Sequence, residues 1–200
     1  MIAHIKGTLE TKAADYFVID VGGLGYKVYI SATGMEKLGN IGDKVKVYTY
    51  YRVREDDISI FGFNTNEELR MFELILSVSG VGAKTAQTIV ALTNPSEFAI
   101  AIISDDISYL TQIPGIGAKS AQRIILELKD KMKKEKSITQ TKNTKVKEAI
   151  VDSNKVEEAI SALQVLGYNK KEIEKAFMKL DKKDLSTEDL IRKGLTILAN

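Results

Sequence analysis

SGVGAKTAQTIV at Ser79–Val90 and PGIGAKSAQRII at Pro114–Ile125 repeat one pattern of twelve residues, thirty-five positions apart. In each copy a Gly-X-Gly turn is followed by a lysine and then by a hydroxyl side chain. Apolar residues at helical spacing stand before and after each turn, which indicates two helices joined by a glycine turn. The repeat therefore predicts a domain built from two such units, and it is the first feature to explain in this chain.

Each glycine turn is predicted to form a phosphate-binding site that consists mainly of backbone. Two glycines leave little side-chain bulk, and the helix that follows presents free N–H groups and the positive end of its dipole. The lysine and the hydroxyl stand at the start of that helix and are aimed at the same space. These residues are Gly80, Gly82, Lys84 and Thr85 in the first copy, and Gly115, Gly117, Lys119 and Ser120 in the second.

Three other interpretations of the repeat are possible. GVGAKT is similar to part of a nucleotide-binding loop, but Ala83 separates Gly82 from Lys84 and a helix, not a strand, precedes the turn. The dinucleotide fingerprint fails for the same reasons. Two plain helical hairpins with glycine turns remain an alternative. Two copies with lysine and hydroxyl in register favour a ligand site over that alternative.

The rest of the chain predicts an α+β protein with several domains. Short runs rich in Val, Ile, Tyr and Phe predict five strands and a small OB-like Greek-key barrel in residues 1–63. A lysine-rich segment that is poor in bulky apolar residues predicts a flexible linker over 131–152. Helical spacing then resumes and predicts a three-helix bundle over 153–200, with Gly167 as a helix stop and Ser186 or Thr187 as a cap. The tandem hairpins occupy residues 64–130.

The composition narrows the classes of function. The chain has no cysteine and one histidine, His4 in a predicted strand, so that thiolate metal sites and histidine catalysis are not expected. Neither a cofactor nor a metal is predicted. No apolar run approaches the length of a membrane span and no signal-peptide pattern follows Met1, which favours the cytoplasm. Residues 64–130 carry five basic and eight acidic side chains, a net charge of −3. A DNA-binding role therefore requires the carboxylates to lie away from the turns.

The paired turns resemble tandem helix-hairpin-helix motifs, which hold the DNA backbone without reading bases. With the barrel, the VREDD stretch at Val53–Asp57 and the tethered C-terminal segment, the whole chain resembles the RuvA family. That family comprises the Holliday-junction-binding subunits of the bacterial branch-migration complex. The resemblance implies a homotetramer whose barrels meet at the centre of a four-way junction, and leaves open whether one or two tetramers enclose it.

The resemblance also assigns residues to the DNA interface. The backbone contacts fall on the turns at Gly80–Gly82 and Gly115–Gly117, which include Val81 and Ile116, together with Lys84, Lys119 and Arg123. Ala118 departs from the family pattern, since relatives often carry a basic residue there, and this predicts a weaker grip by the second hairpin. Glu55 and Asp56 correspond to an acidic pin near the strand crossover. The alternative for these two residues is a solvated turn.

The resemblance further implies that the C-terminal bundle docks on the hexameric ATPase motor RuvB. Its contact surface corresponds to Leu163, Leu166, Tyr168 and Leu195. For Leu163 and Leu195 a place in the core of the small bundle is an equally good interpretation. The resolvase RuvC is a further partner that the resemblance suggests.

The sequence therefore predicts a subunit that recognises DNA junctions in recombination and repair and lacks a catalytic site of its own. A helicase activity would belong to the complex with the motor. A helix-hairpin-helix repair enzyme, such as a structure-specific nuclease or glycosylase, is the alternative. It would need a catalytic lysine–aspartate pair or a cluster of carboxylates. Glu55–Asp57 and Asp105–Asp106 are the dense acidic groups in predicted loops, and the loops account for both. A protein-interaction module without a DNA role is the third possibility.

Overall fold

The computed structural model of the chain describes residues 1–139, 152–180 and 185–198. The chain divides into two compact units. The first contains Met1–Glu73 and Gly82–Thr93, and the second contains Leu74–Val81 and Asn94–Asn200. The first unit is built around a β-barrel and the second from helices.

Five strands of the first unit form a closed barrel. They are β1 (His4–Lys12), β2 (Tyr16–Val21), β3 (Leu24–Tyr29), β4 (Lys44–Val53) and β5 (Ile58–Phe63). The strands follow the order β1-β2-β3-β5-β4 around the barrel. Each pair is antiparallel except β3 with β5. The predicted five-stranded barrel is confirmed, with a short helix α1 (Ala32–Glu36) after β3.

Side chains of the barrel point alternately to an inner and an outer face, most regularly along β1 and β2. Along β2, Phe17 and Ile19 are fully buried, whereas Tyr16 and Val18 between them are partly exposed. Side chains with a period of two place every second residue in the core. The core residues from several strands are then in mutual contact: Ile5, Leu9, Phe17, Ile19, Val28, Ile30, Leu38 and Val47.

Two helices of the central segment also contribute to the first unit. Helix α2 (Asn66–Leu76) packs on the barrel through the ring of Phe72, which is fully buried. The centroid of this ring lies 4.8 Å from that of Phe63, 5.2 Å from that of Tyr50 and 5.7 Å from that of Phe61. Helix α3 (Ala83–Leu92) follows the first glycine turn.

The second unit contains helices α4 (Pro95–Ile103), α5 (Ile107–Thr111), α6 (Ala118–Thr139), α7 (Asp152–Val165), α8 (Lys170–Met178) and α9 (Thr187–Leu198). Helix α4 was not assigned from the sequence, although Asn94 caps it by accepting the Glu97 amide at 2.9 Å. Its side chains are buried on several sides, because α4 packs against α6 as well as against α7 and α9. Apart from Ser96 and Glu97 in its first turn, α4 is apolar, and such a helix belongs in an interior position.

Helix α6 continues further into the segment predicted as a linker than the sequence suggested. It ends at Thr139, and residues 140–151 of the predicted linker lie outside the described residues. Lysine, methionine and glutamate are good helix formers, and they dominate the sequence that follows Asp130.

The predicted ends of the C-terminal helices are observed. Gly167, just after α7, has a φ of +81°, and its amide donates to the Gln164 carbonyl at 3.0 Å. Ser186 precedes α9, and its hydroxyl accepts the Asp189 amide at 3.1 Å. Hydrogen bonds from the hydroxyl and amide of Ser186 hold the pKa of Asp189 below its usual value.

Within the described residues no single helix is both long enough and apolar enough to cross a membrane, and only the bent pair α3 and α4 has the combined length and composition.

Candidate nucleic-acid interface

Both glycine turns of the repeat have the same backbone conformation. Gly80 has a φ of +80° and Gly115 has a φ of +86°. The Val81 amide donates to the carbonyl of Val78 at 3.1 Å, and the Ile116 amide donates to the carbonyl of Ile113 at 3.0 Å. A left-handed φ is free for glycine and costs other residues roughly 1–2 kcal/mol. The first glycine of each pair is therefore required by the turn itself.

The second glycine of each pair has no such role within the protein. Gly82 caps α3 with a φ of −87° and a ψ of 166°, an extended conformation that any residue can adopt. A Cβ atom on Gly82 or Gly117 would meet no described atom within 4 Å. The fold therefore does not require glycine at Gly82 or Gly117, because a side chain would fit at either position. The free space beside the backbone is available to an external group.

Helical amide groups without partners in their own helix stand beside both turns. In α3 the first intrahelical hydrogen bond runs from the Ala86 amide to the Gly82 carbonyl at 2.9 Å, and Gly82 offers no side-chain cap. In α6 the corresponding bond runs from Ala121 to Gly117, also at 2.9 Å. The amides that precede these bonds have no acceptor within the helix. They are the donors that an anion needs at a helix N-terminus.

The side chains named from the sequence lie at the starts of these helices. Lys84 is exposed and Thr85 is half-buried in the first unit, whereas Lys119, Ser120 and Arg123 are all exposed in the second. The structure thus presents a lysine and a hydroxyl side chain within the first turn of each helix. The contacts of these side chains with DNA stay a prediction.

A cleft of about 140 Å³ in the second unit joins the first glycine turn to the second hairpin. It is lined by Ser79, Gly80, Val81, Lys119, Ser120 and Arg123. This lining contains two cations and two hydroxyl groups and no carboxylate, so that the cleft is suited to an oxyanion such as a phosphate. Arg123 lies across it, with Nη1 at 3.5 Å from the carbonyl oxygen of Ser79.

Several carboxylates of the central segment are engaged in local contacts. Glu97 accepts the hydroxyl of Tyr109 at 3.0 Å, and Asp106 accepts the Tyr109 amide at 2.9 Å at the start of α5. Asp105 pairs with Lys129 at 2.5 Å. Burial and the bond to Glu97 raise the pKa of the Tyr109 hydroxyl, which keeps it protonated as a donor. Lys129 therefore neutralises one carboxylate of the segment, and the hydroxyl and amide of Tyr109 are hydrogen-bonded to two others.

Glu127 departs from the expectation that carboxylates lie away from the turns. Its Oε2 accepts the Ser79 amide at 3.0 Å. Further along α6, Lys131 donates from Nζ to the Ser77 carbonyl at 2.8 Å. Sequence analysis missed both residues. Arg123, Glu127 and Lys131 follow one another at intervals of four, which places three charges of alternating sign on one helix face but does not specify what that face contacts.

The acidic stretch after β4 forms an exposed turn with two different kinds of carboxylate. Asp57 is engaged, because it accepts the Ser59 hydroxyl at 2.8 Å and lies 3.7 Å from Arg52. Glu55 and Asp56 are exposed and have no hydrogen bond or ion pair with the described residues. The two residues assigned to an acidic pin are therefore the two carboxylates of this turn that have no partner among the described residues.

The residues assigned to motor binding are mostly interior. Leu163 and Leu166 have no exposed area, Tyr168 is 4% exposed, and Leu195 is half-buried. Leu163 belongs to the bundle core, since a Cβ on Gly194 would stand 2.9 Å from its Cδ1. In this conformation the three buried side chains are not presented to a partner. A motor-binding role for this set stays a prediction.

A five-stranded barrel, paired helix-hairpin-helix units and C-terminal helices define a multidomain protein of the helix-hairpin-helix class. Three family profiles match the chain in this order: the RuvA N-terminal domain at residues 1–62, a SAM-like helix-hairpin-helix tandem at 72–130, and the RuvA C-terminal domain at 154–199. The chain belongs to the RuvA family.

Full-length relatives show the same similarity. The protein named Holliday junction branch migration complex subunit RuvA from Acetivibrio thermocellus is 46% identical over 200 residues, which cover 100% of this chain and 99% of the relative. Proteins of the same name from Ruminiclostridium cellulolyticum and Clostridium perfringens are 43% and 41% identical. Each of these two alignments covers 99% of this chain, together with 100% of the first relative and 99% of the second.

The two glycines of the first turn should respond differently to the same substitution. Gly80→Ala forces a side chain into a left-handed conformation, where its Cβ would also stand 3.2 Å from Arg123 Nη1. We expect it to lower the free energy of unfolding by about 1–2 kcal/mol. Gly82→Ala loses only a favourable capping residue, and should cost roughly 0.5 kcal/mol. Urea denaturation of both variants measures the difference, and equal losses would contradict the assigned backbone roles.

Proposed function

We propose that this protein binds four-way DNA junctions through its two hairpins, independently of base sequence, and couples them to an ATP-hydrolysing motor. The relatives that it resembles along its whole length are named as subunits of a Holliday junction branch migration complex. In this proposal the protein supplies junction recognition in recombination and repair. The motor RuvB supplies the energy for strand movement.

The observation that carries the proposal is the pair of second glycines. Gly82 and Gly117 each stand at a helix start, beside open space and free amides, although the fold does not need glycine there. A phosphate that approached the backbone closely would need that space. A merely structural hairpin requires glycine at Gly80 and Gly115, whereas at the second position of each pair glycine is only one of several suitable capping residues.

The chemistry of the site favours recognition of the backbone over recognition of bases. Amide groups, lysines and hydroxyls at a helix start bind phosphate oxygens, which occur in every sequence. The two turns with Lys84, Thr85, Lys119, Ser120 and Arg123 would therefore fix the position of a duplex without selecting its sequence. Specificity for a junction has to come from the arrangement of several duplex arms.

That arrangement is the reason to propose a homotetramer, whose four barrels surround the crossover while each subunit holds one arm. The exposed carboxylates of Glu55 and Asp56 would then stand at the centre and repel phosphates. A continuous duplex that crosses the centre would be disfavoured, whereas strands that diverge into separate arms would be accepted. One or two tetramers per junction are both compatible with this arrangement.

The C-terminal helices are the proposed site of contact with the motor. Because Leu163, Leu166 and Tyr168 are interior, the contact would fall on exposed residues or require the helices to rearrange. Met178 in α8 is 81% exposed and offers an apolar side chain for such a contact. The resolvase RuvC would be a further partner on the junction, and we expect the complex in the cytoplasm, where the chromosome lies.

No observation favours the alternative of a nuclease or glycosylase. Among the described residues no group of three or more His, Asp or Glu side chains could hold a metal ion. Asp105 contacts Lys129 in a salt bridge whose carboxylate is 65% exposed, and Asp106 caps the start of α5, so that structural roles account for both aspartates.

The first test compares a four-way junction with a linear duplex of the same sequence content by gel shift. The wild-type protein should bind the junction more tightly. Gly82→Val should cost little more stability than Gly82→Ala, since an extended backbone suits valine, but should weaken binding to both DNAs at least tenfold by excluding the phosphate. Equal affinity of wild type for junction and duplex would contradict junction recognition, and wild-type affinity of Gly82→Val would contradict backbone contact at this turn.

Removal of a hairpin lysine tests whether the contacts are to phosphates. Lys84→Ala or Lys119→Ala should weaken binding to junction and duplex alike, and should reduce the slope of log K against log salt by about one unit. The control is Lys193→Ala, which removes an exposed lysine of α9. A loss of affinity that depends on base sequence would count against the proposal.

Neutralisation of Glu55 and Asp56 tests whether these carboxylates cause the preference for four-way junctions over linear duplex. The double variant Glu55→Gln with Asp56→Asn should bind linear duplex more tightly, since each like-charge contact at about 4 Å costs about 1 kcal/mol in water. The ratio of junction to duplex affinity at fixed salt should therefore fall. Glu157→Gln with Glu174→Gln removes the same charge from the C-terminal helices as a control. An unchanged ratio in the first double variant would show that the turn is only solvated.

A further inference from the structure

One face of α6 holds the end of α2 and the first glycine turn. Arg123, Glu127 and Lys131 follow each other at intervals of four residues, so that they lie in one row along the helix. All three contact the short segment Ser77–Ser79: Glu127 accepts the Ser79 amide at 3.0 Å, Lys131 donates to the Ser77 carbonyl at 2.8 Å and to its hydroxyl, and Arg123 reaches the Ser79 carbonyl at 3.5 Å.

Of these three contacts, the one made by Glu127 has the clearest physical purpose. The Ser79 amide follows the end of α2 and is not a donor in any of the backbone hydrogen bonds of the turn, which involve the amides of Ser77, Val78 and Val81. A carboxylate that accepts an amide forms a charge-assisted hydrogen bond, which is stronger than a neutral one. Glu127 therefore fixes the residue immediately before Gly80, where the chain reverses.

The second copy of the repeat supports this interpretation independently. The residue that corresponds to Ser79 is Pro114, which has no N–H to satisfy. Glu127 follows the second copy of the repeat. The corresponding residue after the first copy is Leu92, which cannot accept a hydrogen bond. The remaining turn geometry is the same in both copies. The turn that has an amide donor, at Ser79, therefore has an acceptor in Glu127. The turn that has no such donor, at Pro114, has no acceptor at the corresponding position, Leu92.

We propose that Glu127 is a positioning residue, which holds the first hairpin turn against α6 in the conformation that binds DNA. The proposal rests on DNA binding by the hairpins, as proposed above. Because the cleft beside Gly80 contains Lys119, Ser120 and Arg123 from the second hairpin, this hydrogen bond also sets how the first turn and the start of α6 face a common phosphate. Glu127 itself does not line the cleft.

According to this proposal, an acidic residue favours the binding of DNA, which is itself negatively charged. Two substitutions of Glu127 should therefore change the affinity for DNA in different directions. Glu127→Gln keeps an oxygen acceptor for the Ser79 amide and removes a negative charge. Its affinity for linear duplex should equal or exceed that of wild type. Glu127→Ala removes the same charge together with the acceptor, and its affinity should fall roughly fivefold to tenfold. If Glu127 were only a repulsive charge, both variants would bind more tightly.

Hydrogen exchange separates the position of the turn from DNA binding. In free protein, the Ser79 amide should exchange at least tenfold faster in Glu127→Ala than in wild type, whereas Glu127→Gln should stay near wild type. The amide of Ile102, a buried residue of α4 in the same unit, serves as an internal reference for the stability of that unit. Glu174→Ala and Glu174→Gln, which change an exposed pair with Lys170, should leave both the exchange and the affinity unchanged.

A further variant, Ser79→Pro, keeps the proposal testable if Glu127→Ala folds poorly. Ser79→Pro copies the residue of the second turn and removes the amide donor. In this background Glu127→Ala should have no further effect on duplex affinity. A further loss of tenfold, or unchanged Ser79 exchange in the single variant Glu127→Ala, would overturn the positioning role. Failure of wild type to bind DNA, combined with faster exchange in Glu127→Ala, would instead reject the proposed function and retain the contact.

Discussion

The hairpins depend on a reversal of the chain that glycine allows at low cost. A left-handed residue at Gly80 or Gly115 reverses the chain after one helix and directs the next helix to begin three residues later. Because the new helix starts there, its first amides lack intrahelical acceptors in the same place where the backbone is bare. Turn, free amides and open space are consequences of one backbone conformation. The lysine and hydroxyl that follow add charge and donors to a site that the main chain has already formed.

This construction explains how a segment with a net charge of −3 can be proposed to bind DNA. Amide groups and helix dipoles contribute partial positive charge that no count of side chains includes. Glu97, Asp105 and Asp106 are meanwhile occupied by a hydroxyl, an ammonium and an amide. Net charge describes the average field around a protein, whereas a phosphate at contact distance responds to the few groups that it touches. The sequence-level excess of acid is therefore a poor guide to this surface.

Features that depend on neighbouring residues could be predicted from the sequence, and features that depend on distant ones could not. Strand alternation, the glycine turns, Gly167 as a helix stop and Ser186 as a cap all follow from short patterns, and the structure shows each of them. The contact between Ser79 and Glu127 joins residues 48 positions apart, and no local pattern specifies it. The burial of Leu163 and Leu166 likewise depends on which helices pack around α7. An apolar residue on a small helix is compatible with both core and interface until its neighbours are known.

The divergence of the two copies shows what a duplicated motif needs from its surroundings. Pro114 fixes its own φ and has no amide to satisfy, so that the second turn needs no outside acceptor at that residue. Ser79 keeps both its freedom in φ and its amide, and within the protein that amide finds its acceptor in Glu127 of α6. We therefore expect the shape of the first turn to depend on the position of α6. The difference between proline and serine at this one position thus distinguishes the two turns. The conformation at Pro114 is fixed by its own residue, whereas the conformation at Ser79 depends also on how α6 packs against it.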